Sequence, residues 1–141
     1  MRVPPFTASR SKRIVKSPKL YFIDPGLSAF LAGYHDMDSL RNARELGGLF
    51  ECLVHLQLRA DAELQVPRTG IYFWRTSGGR EVDFVLEQGR DLVAVEVKMT
   101  PRPSFNEIKN LLAFLEEHPR AIRGLLVHAG SALRHLHSKV I

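Results

Sequence analysis

Runs of apolar residues in the middle of the chain predict a group of neighbouring β-strands. The runs are short, rich in β-branched and aromatic residues, and cover residues 71–75, 81–87 and 91–98. The connections at residues 77–79 and 88–90 contain glycine and are short enough for tight turns, which favours an antiparallel meander. A further apolar run at residues 124–129 predicts a fourth buried strand.

Apolar residues at helical spacing predict a long helix ahead of the strands. Asn42 and Glu45 have the spacing of a capping box, which predicts where this helix begins. Ser104 and Glu107 have the same spacing and predict a second helix that runs to about residue 117. Because this second helix falls between the third and fourth strands, it forms a crossover and covers one face of the sheet.

A small strand–helix unit and an irregular segment precede these elements. Residues 20–23 are β-formers and predict a short strand. Asp24 suits an N-cap, Pro25 suits the first helical position and Gly33 suits the end of a short helix. Residues 1–19 contain three prolines and no helical period, so we expect them to be irregular. The order of elements predicts an α/β fold with a mixed sheet flanked by helices.

Charge divides the chain into a basic start and a nearly neutral body. The net charge is +5, yet residues 1–20 hold six basic residues and no acid, while the other 121 residues hold 14 basic and 15 acidic residues. We therefore interpret residues 1–19 as a basic arm or linker and residues 20–141 as one domain. Such an arm can attract phosphate, and a solvated leader would have the same composition.

The composition is that of a soluble globular protein, with 45% hydrophobic and 25% charged residues. No apolar run approaches the ~20 residues that span a bilayer, and no apolar stretch follows the first basic residues as in a signal peptide. Cys52 is the only cysteine, which excludes an internal disulfide and fits a reducing compartment. We therefore expect a cytoplasmic protein without a membrane partner.

Three charged residues interrupt strands that are otherwise apolar. Asp83 lies near the start of the second predicted strand, and Glu96 and Lys98 lie near the end of the third. In an antiparallel hairpin these positions are neighbours, and a one-residue adjustment by a bulge or a loop would bring Asp83 and Glu96 to one face. Two adjacent carboxylates repel each other, so they need a cation nearby.

That cation could be Lys98 or a metal ion. Mg²⁺ takes oxygen ligands, usually one or two carboxylates together with water and substrate phosphate. Glu51, on the long helix that should cover the sheet, could supply a third carboxylate. A lysine beside the metal can position the attacking water and stabilise the charge that develops on phosphate. The alternative is a structural ion pair between Glu96 and Lys98.

The order of these residues resembles a known superfamily. An acidic residue on a helix, then Asp, then Glu-x-Lys on consecutive strands, then a helix and a strand, resembles the PD-(D/E)XK (restriction-endonuclease-like) superfamily. The segments KSPKLYFIDPGLSAFL, LGGLFECLV, YFWRTSGGREVDFVLE and AVEVK are similar to the uncharacterised domain at the C-terminus of many prokaryotic AAA-type ATPases. The resemblance runs from about Arg13 to about Ala129, although Val82 stands where the superfamily name has proline.

The resemblance implies a restriction-endonuclease-like core with Mg²⁺, or Mn²⁺, as its cofactor. It implies catalytic roles for Glu51, Asp83, Glu96 and Lys98, with the three carboxylates as metal ligands. The sequence contains no G-x-x-x-x-G-K-[ST] motif, so the ATPase, which would normally lie in cis, is not part of this chain. We therefore expect a detached C-terminal portion of such an ATPase, either excised or encoded by a truncated gene.

Two classes of function remain open. The first is a metal-dependent endonuclease, or a nuclease-like domain that binds nucleic acid, in which Arg75 and Arg80 could contact phosphate and Trp74 could stack on a base. The second is a non-catalytic interaction or regulatory domain of the ATPase on the same fold. In either class, Trp74 could instead pack in the core and the two arginines could be solvated. The four polar site residues favour the first class, and the nearly neutral body, which lacks a basic stripe, favours the second.

Overall fold

The structure is a computed structural model that describes residues 1–7 and 17–141. Its strands are β1 (Arg2–Val3), β2 (Lys19–Leu20), β3 (Gly70–Arg75), β4 (Glu81–Gln88), β5 (Asp91–Lys98) and β6 (Ala121–His128). Its helices are α1 (Pro25–Leu31), α2 (Met37–Arg41), α3 (Leu46–Leu64) and α4 (Lys109–Glu117). The described part of the chain is thus a mixed α/β fold.

The main sheet holds β3, β4, β5 and β6 in that spatial order. The first three strands run antiparallel, and β6 lies parallel to β5 after the crossover through α4. This arrangement confirms the predicted meander and crossover strand. Strand β6 begins earlier than predicted, because Ala121 is already buried against the sheet.

Helix α3 covers one face of the sheet, where Val54 packs in a cluster with Phe84 and Val95. Its predicted capping box is wrong. Asn42 instead ends α2, which the sequence analysis did not predict, and Glu45 precedes α3 without a capping hydrogen bond from its side chain. The reason lies upstream. The side chain of Asp36 accepts hydrogen bonds from two backbone N–H groups and so begins the helix α2 ahead of Asn42.

Helix α4 covers the opposite face of the sheet. The predicted capping box of Ser104 and Glu107 is confirmed, and it opens a 3₁₀ turn over Phe105–Ile108 that continues into α4. The apolar side of α4 packs against Trp74, which is buried in this second core cluster. Within the described residues, no helix combines the length and the apolar character that crossing a membrane would need.

The described residues at the start of the chain lie against the main sheet. Strand β1 pairs antiparallel with β2, and residues 4–6 run parallel to β3 through hydrogen bonds between Pro4 or Phe6 and Phe73. Val3 and Phe6 are buried in the two core clusters. The expected irregular segment therefore contains a short strand in its described part, and residues 8–16 of the predicted arm lie outside the described residues.

Candidate metal centre

The predicted site residues of the strands meet at one edge of the sheet. Because β4 and β5 are antiparallel, the start of β4 lies beside the end of β5. This arrangement places Glu81 and Asp83 on one strand near Glu96 and Lys98 on the other. Helix α3 crosses this end of the sheet, and its first turns carry Glu51.

The Asp83 carboxylate reaches β5 beyond the end of the β4–β5 ladder. That ladder ends at Phe84 and Val95, and beyond it the Val97 N–H donates to Asp83 Oδ2 at 2.9 Å. A bulge lies on the other side of β4, where Tyr72 pairs with Val85 but Trp74 pairs with Val82, so β4 has one residue more than β3 across this interval. The one-residue adjustment expected between β4 and β5 stays a prediction, because the described ladder ends before Asp83.

Glu96 is a buried carboxylate with one oxygen that lacks a partner. The residue is 4% exposed. Its Oε1 accepts a hydrogen bond from Lys98 Nζ at 2.7 Å, while its Oε2 has no hydrogen-bond partner among the described residues. Burial, followed by the charge of Asp83, raises the pKa of Glu96 to about 7 although Lys98 opposes the shift. A buried oxygen left in this way can still accept a ligand.

Glu51 reaches the same group of residues from α3. Tyr21 donates its hydroxyl hydrogen to Glu51 Oε1. The ring of Tyr21 packs against the rings of His55 and Phe84, with centroids 4.7 and 5.6 Å away, and those two rings also stack on each other. This packing holds the hydroxyl toward Glu51, so the carboxylate has a defined position at the sheet edge.

Lys19 also belongs to the site, and the sequence analysis missed it. Its Nζ lies 3.3 Å from Glu51 Oε1 and 3.6 Å from Asp83 Oδ1, and it forms a salt bridge with Glu81. In the sequence Lys19 is one more charge of the basic segment, and only the pairing of β2 with β1 brings it to the sheet. Its place inside the segment KSPKLYFIDPGLSAFL was the one signal that could have identified it.

The shifts in pKa show that these groups are electrostatically coupled. Burial and the charge of Glu51 raise the pKa of Asp83, whereas the Val97 N–H and the two lysines lower it. For Lys19 and Lys98, burial lowers the pKa, but the surrounding carboxylates outweigh burial and raise it overall. These carboxylates therefore favour a cation beside them, and in the structure the ammonium groups of Lys19 and Lys98 supply that positive charge.

The donor set fits a hard divalent cation in its chemistry. Carboxylate oxygens are the ligands that Mg²⁺ prefers, and Glu96 Oε2 is buried without a partner in the part of the chain that the structure describes. No group of three or more His, Cys, Asp or Glu side chains within residues 1–7 and 17–141 has the spacing of a ready-made metal cage. Instead the Lys19 ammonium lies among Glu51, Glu81 and Asp83.

The two predicted phosphate-binding arginines lie apart from each other. Arg75 forms a salt bridge with Glu81 and so borders the acid cluster. Arg80 instead pairs with Glu117 of α4, with its guanidinium 5.6 Å from the centre of the Trp74 ring. Trp74 is 5% exposed and packs in the core, so the suggestion that it stacks on a base is wrong.

The sequence of residues 46–141 matches the model of a family described as a domain of unknown function, DUF4143. The chain belongs to the DUF4143 family. Residues 1–38 match a second family model, also described as a domain of unknown function, DUF8612. All the predicted site residues fall in the DUF4143 region, whereas Lys19 falls in the region of the second model.

Two curated mycobacterial proteins are similar to this DUF4143 chain. They are uncharacterized proteins of Mycobacterium tuberculosis and Mycobacterium bovis, each 34% identical over 105 residues. The matched region is 74% of this chain but 23% of each relative, so the chain spans about a quarter of the length of these relatives. No solved structure matches the sequence.

Proposed function

We propose that this chain is a Mg²⁺-dependent nuclease-like domain that acts on or binds nucleic acid, with Mn²⁺ able to replace Mg²⁺. The observation that carries the proposal is Glu96, a buried carboxylate beside Asp83 and Lys98 with one oxygen that has no partner within residues 1–7 and 17–141. Strong coupling of titratable groups at one sheet edge is typical of functional sites. A purely structural ion pair would not need the additional carboxylates.

Each site residue has a chemical role in this proposal. Asp83 and Glu96 hold the metal ion, and Glu51 supplies a further oxygen. Bound Mg²⁺ would polarise phosphate and lower the pKa of bound water. Lys98, whose side chain is 40% exposed, orients the attacking water and stabilises the negative charge that develops on the phosphate oxygens. Arg75 contacts substrate phosphate after exchanging its bond to Glu81.

The fold supports a PD-(D/E)XK interpretation of the site. A three-strand meander, a crossover helix and a parallel strand follow one another in the order that the superfamily resemblance implies. The acidic residues lie on α3, β4 and β5, in the predicted order. We propose on this basis a restriction-endonuclease-like core, working in the cytoplasm as the C-terminal part of an AAA-type ATPase.

Cleavage assays test the enzymatic proposal. At least one of single- and double-stranded DNA and RNA should be cut, and only with Mg²⁺ or Mn²⁺, whereas Ca²⁺ should bind without supporting turnover. Lys98→Ala should leave metal binding largely intact but lower the rate by on the order of 100-fold, because an ammonium is not a ligand. A wild-type chain that binds no divalent ion at millimolar concentration and cuts none of the substrates would contradict the proposal.

A second candidate function is an interaction module, and the surface of the strand–helix unit favours it. Six large apolar side chains there are more than half exposed: Leu20, Phe22, Ile23, Leu27, Phe30 and Leu31. Apolar side chains grouped on a surface mark an interaction site more often than isolated ones do. Because the curated relatives are about four times longer than their matched region, the proposed occupant is the remainder of the longer protein.

Hydrogen exchange tests whether the apolar surface of the strand–helix unit is an interaction site. It should be measured on a full-length mycobacterial relative and on an isolated fragment of it that includes the equivalent of residues 20–31. Peptides equivalent to residues 20–31 should be protected in the long protein and exchange faster in the isolated fragment. Equal exchange in both forms would remove the support that the apolar surface gives to the interaction module.

A further inference from the structure

The Lys19 ammonium lies where a divalent cation would find the same carboxylates. It is within 4 Å of oxygens of Glu51, Glu81 and Asp83, and its side chain is 20% exposed. These carboxylates come from α3 and β4, so the ammonium joins two layers of the fold. The Lys19 ammonium thus neutralises these carboxylates as a bound metal ion would.

Lys98 does not occupy an equivalent position. Among the described residues its only salt bridge is with Glu96, and its side chain is 40% exposed, twice the fraction for Lys19. Lys98 therefore borders the cluster from the solvent side, whereas Lys19 lies among three of its acids. A metal ion entering between Asp83 and Glu96 would meet the charge of Lys19 directly.

The attachment of Lys19 leaves its ammonium room to move. It lies on the two-residue strand β2, which is held to β1 by two residue pairs. Its four-carbon stem is flexible, and the ammonium lies 5.5 Å from the centre of the Phe73 ring. A change of side-chain rotamer could withdraw the ammonium without a change in the main sheet.

We propose that Lys19 is an internal competitor for the divalent cation. It neutralises Glu51, Glu81 and Asp83 when no metal is bound, and its ammonium leaves these oxygens when a divalent ion binds. This inference rests on the metal site of the proposed function and adds a residue that sets its affinity. The site would then fill only above a threshold metal concentration, fixed by the competition between ammonium and metal.

Manganese binding, measured by calorimetry and by the Mn²⁺ electron paramagnetic resonance signal, tests this inference without reference to activity. Lys19→Met removes the charge but keeps the length of the side chain, and it should bind Mn²⁺ at least about tenfold more tightly than wild type. Lys19→Arg keeps the charge and should bind no more tightly than wild type. Lys109→Met, which removes an exposed lysine of α4, is the matched control and should leave the affinity unchanged.

Thermal unfolding provides a second test of the inference if Lys19→Met folds poorly. Removing the ammonium leaves three carboxylates without their cation, so the variant should melt below wild type in the absence of metal. Added Mn²⁺ should then raise its melting temperature more than that of wild type, because the ion replaces the lost charge. Lys19→Gln, which keeps a hydrogen-bond donor, should show the same pattern.

The outcomes separate this inference from the proposed function. Tighter binding by Lys19→Met than by a binding-competent wild type supports both. Equal or weaker binding by the variant overturns the competitor role but leaves the metal site intact. Binding by the variant alone supports the competitor role and overturns metal-dependent activity for the natural chain. If neither protein binds Mn²⁺, both proposals are overturned.

Discussion

Glu96 is a residue that stability alone does not explain. A buried carboxylate loses hydration, and an oxygen without a hydrogen-bond partner adds to the free-energy cost of folding. Lys98 offsets part of that cost through one of the two oxygens. An uncharged or apolar side chain at this position would avoid the cost, which supports the ligand role proposed above.

His118 is a second polar group in a sheltered position, but its surroundings are aromatic. Its ring centre lies 4.3 Å from that of Phe114 and 5.4 Å from that of Phe6, and its Nε2 is buried without a partner among the described residues. Burial lowers the pKa of His118, although the charge of Glu117 opposes the shift. The folded state therefore favours the neutral imidazole.

His118 should make the protein less stable as pH falls. Below about pH 6.5, the ordinary pKa of histidine, the unfolded chain binds a proton that the folded chain takes up only at lower pH. The contribution of His118 to the free energy of unfolding should consequently fall between pH 7.5 and pH 5.5. His55, whose pKa burial also lowers, acts in the same direction, whereas Glu96, whose pKa is raised to about 7, acts in the opposite direction. His118→Phe keeps an aromatic ring and should lose less stability than wild type over this interval, as measured by urea unfolding at several pH values.

An exposed histidine provides the control. His135→Gln should retain the pH profile of wild type, because the side chain of His135 lies on the surface. Should His118→Phe lose stability over this pH interval as steeply as wild type, the titrating group lies elsewhere.

At the level of elements, the end of the β4–β5 ladder joins local structure to the site. The ladder ends at Phe84 and Val95, so the Val97 N–H lies beyond its last residue pair. Asp83 Oδ2 accepts from that N–H instead. The same carboxylate thus completes the strand pairing and faces the acid cluster, so its structural and functional roles can be separated by choice of substitution.

Substitutions of Asp83 should separate these two roles. Asp83→Ala should lower the free energy of unfolding by about 1–3 kcal/mol, because it leaves the Val97 N–H unsatisfied in a partly buried position. Asp83→Asn retains an acceptor and should recover most of that loss. Both variants should bind Mn²⁺ more weakly than wild type, since neither has the carboxylate. Urea unfolding and calorimetry measure the two effects, and equal stability of both variants would contradict the strand-pairing role.

Local patterns predicted the elements that carry strong signals of their own. The three strands of the meander, the apolar face of α3 and the capping box at Ser104 all follow from residues close together in sequence. The position of Lys19 depends on pairing across a distance in sequence, between two-residue strands that have no period to detect. The wrong start of α3 has a local cause, because two capping signals competed and the earlier one, at Asp36, formed its own helix.

At the level of the whole molecule, the first residues of the chain connect the two core layers. Val3 packs in the cluster under α3, and Phe6 packs in the cluster under α4. Backbone hydrogen bonds to Phe73 fix the segment between them along the edge of β3. The basic charge that follows in the sequence suggested an arm, because two isolated apolar residues among prolines give no periodic signal.

Phe6→Ala should therefore destabilise the entire fold. The side chain is 5% exposed and lies edge-on to the rings of Tyr72 and Phe114, at 6.0 and 5.9 Å, so its removal should lower the free energy of unfolding by about 3–5 kcal/mol. Phe105→Ala is the matched control, because Phe105 is 53% exposed and the same truncation there should cost less than about 1 kcal/mol. Urea unfolding followed by tryptophan fluorescence reports directly on Trp74, which shares the cluster with Phe6. If Phe6→Ala unfolded at the same urea concentration as wild type, the first residues would not be part of the cooperative core, and β1 could not be what holds Lys19 at the site.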